Sequence, residues 1–226
     1  MRFLLPLFLI LISCAQLPRL SLPDSSRVSG IQEQCKSVFP AGNMRMLHSI
    51  EAQIPGRGTQ FMTGLTLLCP EKEQFRSVMM SIEGLVIFDG LYDRGEIFIA
   101  RGIPPFDSPN FAKGLLYDVR LMLVQPDREC LETGLLEGKI AVCRYGAGED
   151  ITTDVEIHPD GVRIIRQYAK KILRRTIRIW PGSDPGMPEK TELVFHGAVG
   201  YSLHLNLLES EAISTDDFQE MMKVMM

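Results

Sequence analysis

Residues 44–68 read MRMLHSIEAQIPGRGTQFMTGLTLL and alternate in side-chain character on both sides of a short turn. In the first half, one face of an extended chain would carry Met44, Met46, His48, Ile50, Ala52 and Ile54. A period of two residues is typical of a strand with one buried face. The sequence PGRG at residues 55–58 predicts a turn. The stretch therefore predicts a β-hairpin.

The same alternation continues outward from this hairpin along most of the chain. Further strands are predicted at residues 75–82, 85–89, 96–101, 139–145, 152–159, 161–169, 174–180 and 191–210. About ten strands joined by short turns favour one antiparallel sheet, and a sheet of that length twists and curves rather than staying flat.

One segment breaks the period of two and predicts a long internal helix. Asp107 and Ser108 form a capping signal before Pro109, and the helix should end by Pro126. A short C-terminal helix should begin at Ser214, with Asp217 as its capping partner. The expected fold class is mainly β (α+β), a curved antiparallel incomplete β-barrel around one long internal helix, with short terminal helices.

The N-terminus, MRFLLPLFLILISCAQ, has the organisation of a secretion signal. Its last residues, at positions 11–14, resemble the bacterial lipobox, which implies cleavage before Cys14 and lipid attachment, as by palmitate, to that cysteine. Ala15 in place of aspartate favours the outer membrane, on its periplasmic face. We therefore expect a signal peptide at 1–13, a lipidated cysteine and flexible tether at 14–30, and a single domain at 31–226. An ordinary signal peptide with an incidental cysteine is the alternative.

Composition and motifs exclude several classes of function. The formal net charge of −4 argues against nucleic-acid binding. No C-x-x-C pair is present, and no metal site or cofactor is predicted. A nucleophile elbow is also absent, so the protein is not expected to be an enzyme. Acyl-ester hydrolysis would require Ser81 to lie within reach of a histidine.

Four cysteines remain once Cys14 is assigned to lipid, and an exported chain can pair them. A hairpin centred between Leu136 and Glu137 would place Cys130 opposite Cys143. Elimination then pairs Cys35 with Cys69. Reduced, buried thiols are the alternative for all four.

Twelve methionines are the most unusual feature of the composition. Their flexible thioether side chains adapt to irregular apolar shapes, so they can line a cavity for a ligand of variable shape or fill a packed core. The cavity hypothesis selects residues on predicted inward faces, with Met79 as the alternative to Met80: Met44, Met46, Ile50, Phe61, Met80, Phe88, Leu115, Val119 and Met122.

Residues 65–123 also resemble a family of bacterial lipoproteins without assigned function. The shared elements are a strand ending in proline, then MSIEG with Ser81, Phe88, Arg101 before a Pro-Pro pair, and the helix. That family is similar to the LolA/LolB superfamily of lipoprotein carriers and receptors. The resemblance implies an incomplete barrel closed by helices around an apolar cavity for acyl chains.

Two functions follow as hypotheses. The first is an outer-membrane-anchored periplasmic lipoprotein that binds a lipid or acyl chain and takes part in lipoprotein or lipid transfer. The second is a structural or assembly lipoprotein that holds another lipoprotein or envelope protein without binding lipid.

Overall fold

A single twelve-stranded antiparallel sheet dominates the computed structural model, which describes residues 16–126, 130–148, 150–183, 187–197 and 200–224. The helices are α1 (Ser25–Lys36), α2 (Pro109–Leu123) and α3 (Thr215–Val224). The strands are β1 (Met44–Ile54), β2 (Gly58–Cys69), β3 (Gln74–Ser81), β4 (Val86–Asp93), β5 (Glu96–Gly102), β6 (Glu132–Leu136), β7 (Ile140–Ala147), β8 (Ile151–Ile157), β9 (Arg163–Ala169), β10 (Ile172–Pro181), β11 (Pro188–Phe195) and β12 (Tyr201–Ala212).

The order of strands across the sheet is β5-β4-β3-β2-β1-β12-β11-β10-β9-β8-β7-β6. The chain runs outward from β1 to the edge strand β5. It then passes through α2 to the opposite edge at β6 and returns to the centre at β12. Strands β5 and β6 do not pair with each other, so the sheet does not close into a barrel. The predicted fold class is confirmed.

The two faces of the sheet have different coverings. The inner face packs against α1 and α2 and holds the main apolar core. On the outer face, Phe218 and Met222 of α3 cover Leu67 and Cys69 of β2. The N-terminal segment contacts the outer face of the sheet on the side that contains β7. There the Arg144 guanidinium donates a 2.9 Å hydrogen bond to the carbonyl oxygen of Pro18.

The two predicted helices form where their capping signals indicated. Pro109 occupies the first turn of α2. The Ser214 hydroxyl oxygen accepts a 3.1 Å hydrogen bond from the backbone N–H of Asp217 and caps α3. None of the helices in the described part of the chain is long and apolar enough to cross a membrane.

The number of strands exceeds the prediction by two. The segment 191–210, predicted as one strand, is divided into β11 and β12, which pair with each other after a reversal near His196. Strand β6 is the second addition. Its sequence contains Gly134 and lacks the clear alternation that marks the other strands.

The predicted flexible tether at 14–30 is wrong for the residues that the structure describes. Residues 25–30 belong to α1. Ser21 exchanges two backbone hydrogen bonds of 2.9 Å with Leu135 of β6, and Leu17 donates one of 3.1 Å to the Lys171 carbonyl. The segment satisfies backbone groups of the sheet, which a composition rich in serine and proline does not reveal. Cys14 and the predicted signal peptide lie outside the described residues.

The predicted disulfide pairs are also wrong. The structure joins Cys35 of α1 to Cys143 of β7, whereas Cys69 and Cys130 are free thiols. Thr133, not Cys130, lies opposite Cys143, because the β6–β7 turn is centred at Gly138, further along the chain than predicted. Cys69 lies on the outer face under α3.

Candidate ligand-binding cavity

An apolar cavity of about 390 Å³ lies between α2 and the inner face of the sheet. We call it the α2 cavity. Ligand-binding cavities in proteins commonly have volumes of about 300–1,000 Å³. Its walls come from α2, β1–β3, β11 and β12, with Arg175 from β10. Among its lining residues, Pro55 and Asn110 are exposed and mark the opening, whereas His48, Thr66 and Ser77 are buried.

Four of the residues predicted to line a cavity do so. Ile50 projects from β1, and Leu115, Val119 and Met122 project from α2 at helical spacing. The alternation of β1 and the 3.6-residue period of α2 place these four side chains on facing surfaces. They form part of the apolar wall that a bound chain would contact.

Two predicted lining residues lie on the wrong face of their strands. Phe61 has 58% of its surface exposed, and Met62 lines the cavity in its place. In β3 the cavity is lined by Met79 and not by Met80. Because side chains alternate across a strand, an error of one residue in phase moves the prediction to the opposite face.

Three further predicted residues are not among those that line the cavity. Met46 and Phe88 are completely buried in the main core, and Met44 is half-buried against it at the start of β1. Their side chains are packed by neighbours instead of facing the cavity. Gly90 shows how tight this region is, since a Cβ atom there would lie 2.5 Å from the Phe88 ring.

Gly114 contributes to the space between α2 and the sheet. It is one of the lining residues, and a Cβ atom built there would meet no other atom within 4 Å. A glycine in a helix interior costs about 0.5–1 kcal/mol relative to alanine. The open space beside Gly114 therefore coincides with a residue that weakens the helix.

A buried polar cluster forms one wall of the α2 cavity. The Asp118 carboxylate accepts a 2.5 Å hydrogen bond from Arg175 Nε and a second hydrogen bond from the Tyr201 hydroxyl. Burial raises the pKa of the Asp118 carboxyl, while the Arg175 charge and the Tyr201 hydroxyl act in the opposite direction. This cluster links α2 to β10 and β12.

The Arg175 guanidinium is enclosed by further partners. It lies 5.1 Å from the ring centre of Tyr117 and 4.9 Å from that of Phe195. Its Nη1 donates a 3.0 Å hydrogen bond to Gln167 Oε1. Gln167 in turn donates one of 2.7 Å to the Tyr117 hydroxyl. The positive charge is therefore neutralised within the wall.

A second polar group lies at the inner end of the cavity and was missed by the sequence analysis. His48, Thr66 and Ser77 project from β1, β2 and β3 into the α2 cavity. Burial lowers the pKa of His48 to about 4, so its imidazole is neutral at pH 7. The alternation of β1 already placed His48 on the apolar face, and a histidine among apolar residues was the available signal.

The described residues give little support for a hydrolytic site or a metal site. Among the described residues, Ser81 forms no hydrogen bond with a histidine. Its hydroxyl lies instead beside Glu83, and a hydrogen bond between the two lowers the pKa of the Glu83 carboxyl. No group of three or more histidine, cysteine or acidic side chains could hold a metal ion in the same part of the chain. The α2 cavity is therefore the candidate site.

Comparison with known proteins gives a fold but no sequence family. No protein-family model matches the chain, and no curated protein matches it. A LolA superfamily protein from Nitrosomonas europaea aligns with a TM-score of 0.55 and 11% identity, over 84% of this chain and 95% of that one. A domain assigned as an outer membrane lipoprotein-sorting protein from Vibrio parahaemolyticus aligns with a TM-score of 0.52 and 12% identity, over 88% and 98% of the two chains. The chain therefore has a LolA-like fold.

Proposed function

We propose that the protein is a lipoprotein, anchored through Cys14 to the periplasmic face of the outer membrane, that binds a lipid or acyl chain in the α2 cavity. The observation that carries the proposal is an apolar cavity of about 390 Å³ beneath a helix that crosses an open sheet. Burial of each methylene group contributes about 0.8 kcal/mol. Such a cavity can therefore bind an acyl chain with an affinity comparable to that of a bilayer. Comparable affinities on the two sides are the condition for lipid or lipoprotein transfer.

The position of the N-terminal segment supports the anchoring part of the proposal. Gln16 forms a β-bridge with Ile172, at the turn between β9 and β10. Arg175, close to this turn, pairs with Phe195 of β11, and Phe195 pairs with Tyr201 of β12. The turn therefore lies at the end of the sheet where the cavity opens. Cys14 precedes Gln16 by two residues, a reach of about 7 Å at most. A lipid on Cys14 would therefore hold the cavity opening close to the membrane.

The binding experiment uses Gly114→Leu, a substitution that places a side chain in the α2 cavity. We expect the variant to lose at least about tenfold in affinity for a fluorescent acyl-chain probe, because a buried leucine removes apolar space worth about 1.5–3 kcal/mol. Native mass spectrometry should also find less co-purified lipid in the variant. Both proteins carry Cys14→Ala so that they can be purified without detergent.

The matched control is Gly30→Leu, which changes another helical glycine where a Cβ atom would meet nothing within 4 Å. Gly30 lies in α1 and is not among the residues that line the α2 cavity. This variant should bind the probe like the parent protein. Equal binding by the parent and the Gly114→Leu variant would contradict the proposal.

Lipid attachment is tested separately in cells that express the full chain. We expect radioactive palmitate to label the protein, and Cys14→Ala to abolish the label and release the protein from the outer membrane. A labelled Cys14→Ala variant would exclude Cys14 as the attachment site.

One surface favours the second candidate function, a lipoprotein that scaffolds a protein partner. Strand β5 is an edge strand, and Phe98 and Ile99 on it are exposed by 53% and 39%. An exposed apolar edge can pair with an extended segment of another protein. This candidate would be favoured if a crosslinker placed at Phe98 captured one envelope protein in cells. It would also require the Gly114→Leu variant to keep its cellular function, because that function would not depend on the cavity.

A further inference from the structure

The inner end of the α2 cavity carries a continuous polar patch formed by His48, Thr66 and Ser77. Thr66 and Ser77 are directly opposite each other in the β2–β3 pair. His48 pairs with Gly64, two residues before Thr66 on the same face of β2. The space that a Gly64 side chain would fill is taken by Ile50, whose Cδ1 would lie 2.6 Å from a Cβ atom there. The His48 side chain is therefore diagonal to that of Thr66 across the β1–β2 pair.

These three side chains are buried without protein partners. His48 and Thr66 are each 6% exposed and Ser77 is 5% exposed. Among the described residues, no side chain or backbone group forms a hydrogen bond with the side chain of any of the three. Their polar atoms face the space of the α2 cavity. An apolar ligand that fills this space would leave them without hydrogen bonds, at a cost of about 1–3 kcal/mol for each group. A ligand with a polar group at this end would supply those hydrogen bonds instead.

The chemistry of the patch selects the kind of ligand group. Both hydroxyls and a neutral imidazole can donate and accept hydrogen bonds, but none of them carries charge. The nearest charges described along the cavity wall, on Asp118 and Arg175, neutralise each other. An ionised carboxylate or phosphate at the inner end would therefore lose its hydration without gaining a counter-charge. An uncharged oxygen group would lose much less.

We propose that the α2 cavity takes an apolar chain whose inner end carries an uncharged oxygen group, a hydroxyl or an ester carbonyl, held by His48, Thr66 and Ser77. This ligand class rests on the proposed lipid-binding function and narrows it. Apolar contacts along Ile50, Met62 and α2 supply most of the affinity. The polar patch supplies selectivity, because an alkane of equal length leaves its groups unpaired.

The test compares three ligands of equal chain length, dodecane, dodecanol and dodecanoate, as competitors of a fluorescent acyl-chain probe at neutral pH. Dodecanol should displace the probe at a concentration at least about tenfold lower than either of the others. Thr66→Val and Ser77→Ala should each weaken dodecanol about fivefold, the equivalent of one hydrogen bond of about 1 kcal/mol. Neither substitution should weaken dodecane.

Ligand-free stability provides a second measurement that separates a binding role from a structural one. Thr66→Val removes a hydroxyl that has no protein partner, at nearly constant volume, so the melting temperature of the ligand-free protein should not fall. A fall would show that Thr66 stabilises the fold and would overturn its assignment to the ligand. Thr63→Val on the same strand and Ser49→Ala on β1 serve as controls, since neither residue lines the cavity.

The competition experiment distinguishes failure of this inference from failure of the proposed function. Equal displacement by dodecane and dodecanol would overturn the polar inner end and leave lipid binding in place. Stronger displacement by dodecanoate would overturn the preference for an uncharged group. If none of the three ligands displaced the probe and the probe itself bound only to the surface, the proposed function would fail as well.

Discussion

His48 occupies an inner-face position on β1 between Met46 and Ile50, and this placement determines its chemistry. Burial removes water from the imidazole without supplying a described counter-charge, which lowers its pKa from 6.5 to about 4. The same residue on the outer face would remain hydrated. On the inner face of β1 the histidine is therefore a neutral hydrogen-bonding group. One position further along the strand, on the outer face, it would be a pH-sensitive surface group.

The lowered pKa of His48 predicts a pH dependence of stability. Between pH 4 and pH 6.5 the unfolded chain binds a proton on this residue that the folded chain does not, so the unfolding free energy falls as pH falls through this range. The contribution is at most about 3.5 kcal/mol, at about 1.4 kcal/mol per pKa unit. Urea unfolding at several pH values should show His48→Gln losing less stability on acidification than the parent.

A matched variant isolates this effect from the titration of carboxylates. His204 on β12 is half-buried and does not line the α2 cavity. We expect His204→Gln to lose as much stability as the parent between neutral pH and pH 4.5. If His48→Gln behaved in the same way as His204→Gln, the buried histidine would not be the source of the pH dependence.

Which individual residues line the cavity could be predicted only where the period of an element was unambiguous. Leu115, Val119 and Met122 were correct because three turns of α2 share one apolar face. Phe61 was wrong because residues 61–62 are both apolar, and neither neighbour indicates which of them faces inward. Met46 and Phe88 do face the core, but a sequence does not distinguish a packed interior from a hollow one.

The α1 helix is the element whose structural role was least visible in the sequence. Its amino acids are mostly polar, and only Ile31 and Cys35 are buried. The helix is held on the inner face by the Cys35–Cys143 disulfide and by a 3.2 Å hydrogen bond from Gln32 Nε2 to the Thr133 hydroxyl. A helix without a continuous apolar face depends on such specific links for its position.

Removal of the Cys35–Cys143 disulfide should strongly destabilise the protein. The bond joins residues separated by 108 positions, and closing a loop of this length contributes about 4–5 kcal/mol in the chain-entropy model. We expect Cys35→Ser or a reductant to lower the unfolding free energy by up to this amount in a denaturant titration. Reductant should have little further effect on the Cys35→Ser variant.

Cys130→Ser is the informative comparison, because Cys130 is a free thiol in this structure. The variant should keep nearly the full stability and should still be sensitive to reductant. The alternative pairing of Cys130 with Cys143 would instead make Cys130→Ser as damaging as Cys35→Ser. Hairpin symmetry alone could not separate these outcomes, since it depends on the residue at the centre of the turn.

The sheet as a whole has two unlike edges. At the β6 edge, the backbone of Leu135 exchanges hydrogen bonds with Ser21 of the N-terminal segment. At the β5 edge, most residues are exposed, and no described strand pairs with its outer side. One edge is therefore covered by the chain itself, whereas the other remains open.

Amide hydrogen exchange should report this asymmetry. We expect the amides of β1 and β12 at the centre of the sheet to exchange most slowly, and those of β5 to exchange faster than those of β6. Ser21→Pro removes the Ser21 N–H and should accelerate exchange in β6 while leaving β5 unchanged. Equal exchange at both edges in the parent protein would contradict the role assigned to the N-terminal segment.

The general architecture was predictable, but its order in space was not. Alternating segments joined by short turns indicated a curved antiparallel sheet. Capping signals before Pro109 indicated one long helix between two groups of strands. Nothing in residues 44–54 or 201–212 identified them as partners, because strand pairing over such a distance leaves no local pattern. The covering of the outer face by α3 and the N-terminal segment was missed for the same reason.

The pairing of β1 with β12 has a consequence for how the protein is made. Met44 lies opposite Ala212, so one side of the first strand gains its neighbour only after nearly the whole polypeptide has been synthesised. Contacts so distant in sequence slow folding. We expect a folding intermediate in which β1 pairs with β2 but has one edge unpaired, and such an exposed strand edge makes the intermediate prone to aggregation.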